Sequence, residues 1–123
     1  MRILLVEDDF DIRDTTTQLL EFAGFEVLGA DGANRAREVL AGPPVDVIVT
    51  DAAMPDGDGY SLMTYVRSSE ALRGLPVIMV SAKADKSDQT EGVKRGADAY
   101  LPKPYASAEL VKLIHELAGP GGV

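Results

Sequence analysis

Residues 45–60 read VDVIVTDAAMPDGDGY, and the change of character at Asp51 decides how the rest of the chain is organised. Before it, Val45, Val47, Ile48, Val49 and Thr50 form a β-branched run too short for a helix. Such a run is the signature of a strand buried on both faces of a parallel sheet. After it come a proline and two glycines, which mark a loop.

Working outward, the prolines of AGPP at 41–44 close a helix predicted near 33–41, because proline can neither donate a backbone hydrogen bond nor fit a helix interior. Asp31 and Gly32 lead into that helix from a weaker strand, Phe25 to Ala30. Further upstream, Ile12, Thr16, Leu19 and Ala23 recur at helical spacing and predict a helix over roughly 11–23, ended by Gly24 in the left-handed conformation. The first strand is Ile3 to Val6. Downstream, the pattern predicts a helix near 59–68, the strand PVIMVS at 76–81 and a helix near 86–95 ending at Gly96. A short strand AYL at 99–101 follows, then the turn PKPY and a last helix around 107–118. Five strands alternating with five helices describe a doubly wound α/β fold, a five-stranded parallel sheet with helices on both faces. Residues 1–118 read as one domain and GPGGV at 119–123 as a flexible tail or linker remnant.

Composition narrows the function classes. A chain of 123 residues with 46% hydrophobic and 26% charged content is an ordinary single globular domain. Its net charge of −8 argues against a nucleic-acid surface on this domain. The absence of cysteine rules out disulfides and thiolate metal sites and is compatible with a reducing compartment. No apolar run is long enough for a signal-peptide core or a membrane span, so a cytoplasmic protein without membrane contact is expected.

In doubly wound sheets ligands bind outside the carboxyl ends of the strands, where the strand order reverses. Strand one is followed by Glu7 and Asp8, strand three by Asp51, strand four by Ser81, and strand five by Lys103 after Pro102. Three adjacent acids, Glu7, Asp8 and Asp9, repel one another unless something positive compensates them. If the strand ends are neighbours, three carboxylates, a hydroxyl and an ammonium converge on one pocket. That oxygen-rich, anionic set suits a hard dication such as Mg²⁺. Taken singly, each acid could simply cap a helix or face solvent; polar side chains at four strand ends along one sheet edge argue for a site.

These residues resemble the receiver domains of two-component response regulators over residues 2 to about 118. The resemblance is carried by the acidic pair Glu7–Asp8, by DAAMPDGDG from Asp51, by Ser81–Ala82, and by Lys103–Pro104, in that order along the chain. It implies a flavodoxin-like sheet with strand order 2-1-3-4-5 and Asp51 as phosphoacceptor. It further implies Mg²⁺ bound directly by Asp8, Asp51 and the backbone carbonyl of Ala53, with Glu7 acting through water. Asp9 falls outside the family's pair and reads as a solvent-facing or helix-start residue.

A carboxylate attacking a phosphoryl group brings two anions together, so catalysis is mostly alignment and charge neutralisation. Lys103 suits the role of neutralising cation and Ser81 that of a phosphoryl-oxygen ligand, while the small Ala82 leaves room for the donor. By the resemblance, Ser81 and Tyr100 form a switch, the hydroxyl moving toward the phosphoryl group and the aromatic turning inward. The resemblance also implies a cis peptide before Pro104, and Lys83 and Ala53 as influences on phosphoryl lifetime. Met54 and Pro55 shape the loop, Asp56 and Asp58 read as turn and helix-start residues, and His115 as a partly exposed structural residue.

The partners implied are a sensor histidine kinase or histidine phosphotransfer protein and an output domain or protein. The last helix is sparse in the arginine and charged pairing residues found on the dimer face of many winged-helix regulators, which puts that dimer in doubt. Self-catalysed phosphorylation and dephosphorylation make the domain a signalling element, not an enzyme. Three alternatives stand beside this reading: a phosphorylation-independent adaptor of the same fold, an aspartyl-phosphate hydrolase, and a flavin mononucleotide carrier. The hydrolase would want a second aspartate at position 53, where alanine stands, and EDDFD at 7–11 would repel a flavin phosphate.

Overall fold

The computed structural model describes residues 1–51, 59–81, 97–103 and 105–118. Its strands are β1 (Arg2–Val6), β2 (Glu26–Ala30), β3 (Val47–Asp51), β4 (Val77–Ser81) and β5 (Ala99–Pro102). Four helices lie among the described residues: α1 (Phe10–Phe22), α2 (Ala33–Leu40), α3 (Gly59–Ser68) and, last in the chain, α4 (Ser107–Ala118). All strands are parallel, in the order β2-β1-β3-β4-β5. The helix expected near 86–95, the tail at 119–123 and the peptide before Pro104 lie outside the described residues.

Side chains alternate across a strand, and here they feed two separate cores. Leu4, Val6, Ile48, Val77 and Met79 point to one face, where they meet Ala36 and Leu40 of α2 and Leu62, Met63 and Val66 of α3. Ile3, Leu5, Val47, Val49, Ile78 and Val80 point to the other, against Leu20 of α1 and Leu110 and Ile114 of α4. Both faces of β1, β3 and β4 are therefore covered, which is why these strands are apolar at nearly every position. Each buried Leu, Ile or Val contributes about 1.5–3 kcal/mol of transfer free energy.

Among the described residues, the element boundaries fall within two residues of those read from the pattern. The inward face of α1 differs. Thr16 and Leu20 are its buried residues, whereas Ile12 and Leu19 are 42% and 46% exposed and Ala23 faces solvent. Ile12 and Leu19 thus turn away from the sheet, toward a groove described below. Gly24 is the one described residue outside the usual backbone regions (φ 100°), letting the chain reverse into Phe25, whose ring is buried. His115 on α4 is exposed and lies against that ring, with centroids 5.3 Å apart at 45°. At the opposite end of the sheet, Arg67 donates to the Arg73 and Leu75 carbonyls and to Asp98 Oδ2, which also accepts from the Val77 N–H. This clamp ties α3 to the start of β4 and β5. No helix among the described residues is long and apolar enough to cross a membrane.

Candidate functional site

The strand order reverses beside β1, because the chain steps outward to β2 and then returns to β3 on the other side. Val6 pairs with Thr50, so Glu7 and Asp51 leave adjacent strands at the same level. Lys103 follows β5, two strands away from β3, and its long flexible side chain spans the distance. Its Nζ donates to Asp51 Oδ2 and to Glu7 Oε1, both at 2.8 Å. Asp8 completes the acidic group: Glu7, Asp8 and Asp51 each offer a carboxylate oxygen within 4.8 Å of the others. The side chains of Glu7 and Asp51 are only 7% and 11% exposed, whereas Asp8 faces solvent.

Backbone hydrogen bonds fix the loop after β1. The Glu7 N–H donates to the Ala30 carbonyl at 3.0 Å and the Glu7 carbonyl accepts from Arg13 Nη1 at 2.7 Å. Glu7 Oε2 accepts from the Asp9 N–H at 3.2 Å, so both carboxylate oxygens of Glu7 are engaged within the protein. Asp9 is the N-cap of α1, its Oδ1 accepting from the Ile12 N–H at 3.0 Å. That is the helix-start role read for it, and it separates Asp9 from the pocket. On the far side, the Lys103 N–H donates to the Ser81 carbonyl at 2.7 Å, holding the residue after β5 against the end of β4.

The electrostatics follow from burial. Withdrawal from water raises the Glu7 carboxyl above its ordinary value, more than the hydrogen bonds from Lys103 and the Asp9 N–H lower it. Burial pulls the Lys103 ammonium down, but hydrogen bonds and charge from Asp51 and Glu7 more than reverse this and hold it above its ordinary value. Lys103 is therefore favoured in its charged form. The pocket carries three carboxylates against one ammonium, and the excess negative charge is the electrostatic basis for holding a dication. The donor set fits magnesium, which takes hard oxygen ligands and is bound through one or two carboxylates with waters.

Of the residues read from the sequence, Glu7, Asp8, Asp51 and Lys103 are brought together. Ser81 is buried at the same sheet edge, one position beyond Val80, the register partner of Asp51. Tyr100 sits lower, opposite Met79, half-buried against the α2–α3 core. Ala53, Met54, Pro55, Asp56, Asp58, Ala82, Lys83 and Pro104 lie outside the described residues. Arg13 was missed by sequence reading; a lone arginine six residues after Glu7 gives no sign that it reaches back to a carbonyl.

A groove of about 520 Å³ runs between α1 and α4 beside the acids, lined by Ile12, Thr16, Leu19, Leu110, Tyr105 and Lys103. Ile12, Thr16 and Tyr105 also line the small cleft that contains Glu7 and Asp51, so the groove adjoins the acidic site. Phe22, 93% exposed, and Phe10, 66% exposed, extend the apolar surface of α1.

A doubly wound sheet with a lysine-bridged carboxylate pocket at its switch point defines a class of α/β domain whose polar site lies at the carboxyl ends of its strands. The chain belongs to the response regulator receiver domain family, which residues 3–115 match. It is 37% identical over 115 residues to the transcriptional regulatory protein GltR of Pseudomonas aeruginosa, covering 94% of this chain and 48% of that protein. It is 34% identical over 113 residues to the phosphate regulon transcriptional regulatory protein PhoB of Escherichia coli, covering 92% of this chain and 49% of that protein. The chain thus spans about half the length of the curated relatives it matches. Among solved structures, it resembles the receiver domain of the Francisella response regulator 1452 with a TM-score of 0.89 at 32% identity, covering 95% of each chain. The chemotaxis response regulator CheY4 of Vibrio cholerae gives 0.88 at 28% identity, covering 94% of this chain and 97% of that one. Receiver domains are signalling domains of two-component systems, not enzymes in the classical sense.

Proposed function

We propose that this domain accepts a phosphoryl group on Asp51, in the presence of Mg²⁺, from a histidine kinase or histidine phosphotransfer protein in the cytoplasm, and passes the signal to an output domain or partner. The observation that carries this reading is the double hydrogen bond of Lys103 to Asp51 and Glu7, with Asp8 in the same cluster. An Asp51 oxygen attacks the phosphorus of phosphohistidine, a P–O bond forms, the P–N bond breaks, and the imidazole leaves with a proton. Charge on the transferring group spreads over its three equatorial oxygens, so a preorganised cation contributes most where the charge develops. Lys103 is that cation. Asp8, Asp51 and the Ala53 carbonyl would hold magnesium, with Glu7 acting through water. When bound, the ion supplies further neutralisation of the carboxylate and phosphoryl charge. Water attack on the acyl phosphate later restores Asp51. Ser81, at the pocket edge, and Tyr100, half-buried in the neighbouring strand, are the pair that registers the added charge.

Incubation with Mg²⁺ and acetyl phosphate tests the reading: a hydroxylamine-labile acyl phosphate is expected, and none with Mg²⁺ chelated. Asp8→Ala weakens magnesium binding by about tenfold or more, through loss of a ligand carboxylate. Asp9→Ala leaves that binding close to wild type and instead costs about 1 kcal/mol of stability, through loss of the α1 cap. Titration calorimetry beside thermal unfolding separates the two, and equal weakening would put the acidic pair in the wrong register.

The groove between α1 and α4 is the docking surface for the protein phosphodonor, because it adjoins the cleft that holds Asp51 and offers an apolar lining beside the charged site. Leu19→Glu is expected to slow transfer from a phosphorylated donor protein by about tenfold while acetyl phosphate labels the variant at the wild-type rate. Equal rates from the protein donor would remove the groove from this role.

A further inference from the structure

We infer that Arg13 is a positioning residue for the acidic site, holding the Glu7–Asp8 peptide so that the Asp8 carboxylate points where a dication binds; this rests on the magnesium reading above. Asp8 is exposed, and its direction follows from the backbone that carries it. The Glu7 carbonyl belongs to the peptide unit shared with Asp8, and Arg13 Nη1 donates to that oxygen at 2.7 Å. The Glu7 N–H is held from the other side by Ala30. The Asp9 N–H is held in turn by Glu7 Oε2 at 3.2 Å, so the main chain on both sides of Asp8 is fixed by hydrogen bonds.

Arg13 is itself locked. Its guanidinium lies over the Phe10 ring, 5.5 Å from the centroid, and its stem runs across Gly29 of β2, where an added Cβ would stand 3.5 Å from Cδ. The absence of a side chain at Gly29 leaves the stem a flat track along the sheet edge. The arginine thus couples α1, the end of β2 and the acidic loop through one side chain.

The sign of the expected effect distinguishes positioning from simple electrostatics. Deleting a nearby cation would by Coulomb's law strengthen the binding of a dication, whereas loss of positioning weakens it. Arg13→Ala is expected to weaken Mg²⁺ binding about tenfold by titration calorimetry, as outer-shell removals do, and to shift the Asp8 amide resonance of the metal-free protein. Phe10→Ala, at a largely exposed site, is expected to weaken it about twofold in the same direction. Wild-type protein that binds no Mg²⁺ would fail the magnesium reading itself. Wild-type binding with equal or tighter binding by Arg13→Ala would overturn the role of Arg13 alone. If Arg13→Ala does not fold, Phe10→Ala decides, and unchanged affinity there overturns the inference.

Discussion

Asp51→Asn is expected to form no acyl phosphate, whether the donor is acetyl phosphate or a phosphohistidine protein, a loss of at least about 10³-fold in labelling rate. The substitution is nearly isosteric and keeps one oxygen toward Lys103, so the sheet edge retains its shape. What disappears is the anionic nucleophile. Glu7 cannot stand in, because both its oxygens are engaged, by Lys103 and by the Asp9 N–H, and burial raises its carboxyl. Asp8 cannot either, if its carboxylate is spent on the metal. Intact-mass spectrometry with and without hydroxylamine reads the outcome, and circular dichroism checks the fold. A variant that still acquires the same labile phosphate would refute the assignment.

Lys103→Ala is expected to lower the phosphorylation rate by about 10²-fold, the effect of removing one preorganised charge from a phosphoryl-transfer site. It also leaves two buried carboxylates facing each other. In the metal-free state this costs on the order of 1–3 kcal/mol, discounted from the full burial penalty because the lysine is 22% exposed. A dication can substitute for part of the missing charge, so the gap in melting temperature between magnesium-loaded and metal-free protein widens in the variant. Single-turnover labelling and paired thermal melts measure the two effects separately. A variant that is labelled as fast as wild type would remove the catalytic role of Lys103, whatever its stability.

The sheet was legible because strands covered on both faces must be apolar nearly throughout, and VDVIVT and PVIMVS can be little else. The acids and the lysine were legible because strand ends in a doubly wound sheet share one edge. The orientation of α1 was not. Ile12 and Leu19 recur with the same spacing as a core stripe, yet serve the groove, and periodicity alone cannot distinguish an apolar face turned to the sheet from one turned to a second surface. Nor could the sequence reveal which carboxylates Lys103 touches, since that depends on β5 lying beside β4 and on the reach of one side chain. Arg13 was illegible for the same reason. Its partner is a backbone oxygen, and main-chain groups leave no mark on residue identity.

The ammonium that completes the pocket arrives late. Lys103 lies 52 residues after Asp51 and 96 after Glu7. On a translating ribosome the acids emerge long before the group that balances them, and a chain released early, without its fifth strand, carries an acidic edge without its ammonium. The charge balance of this edge is thus set last, by the strand that the chain adds at the far side of the sheet.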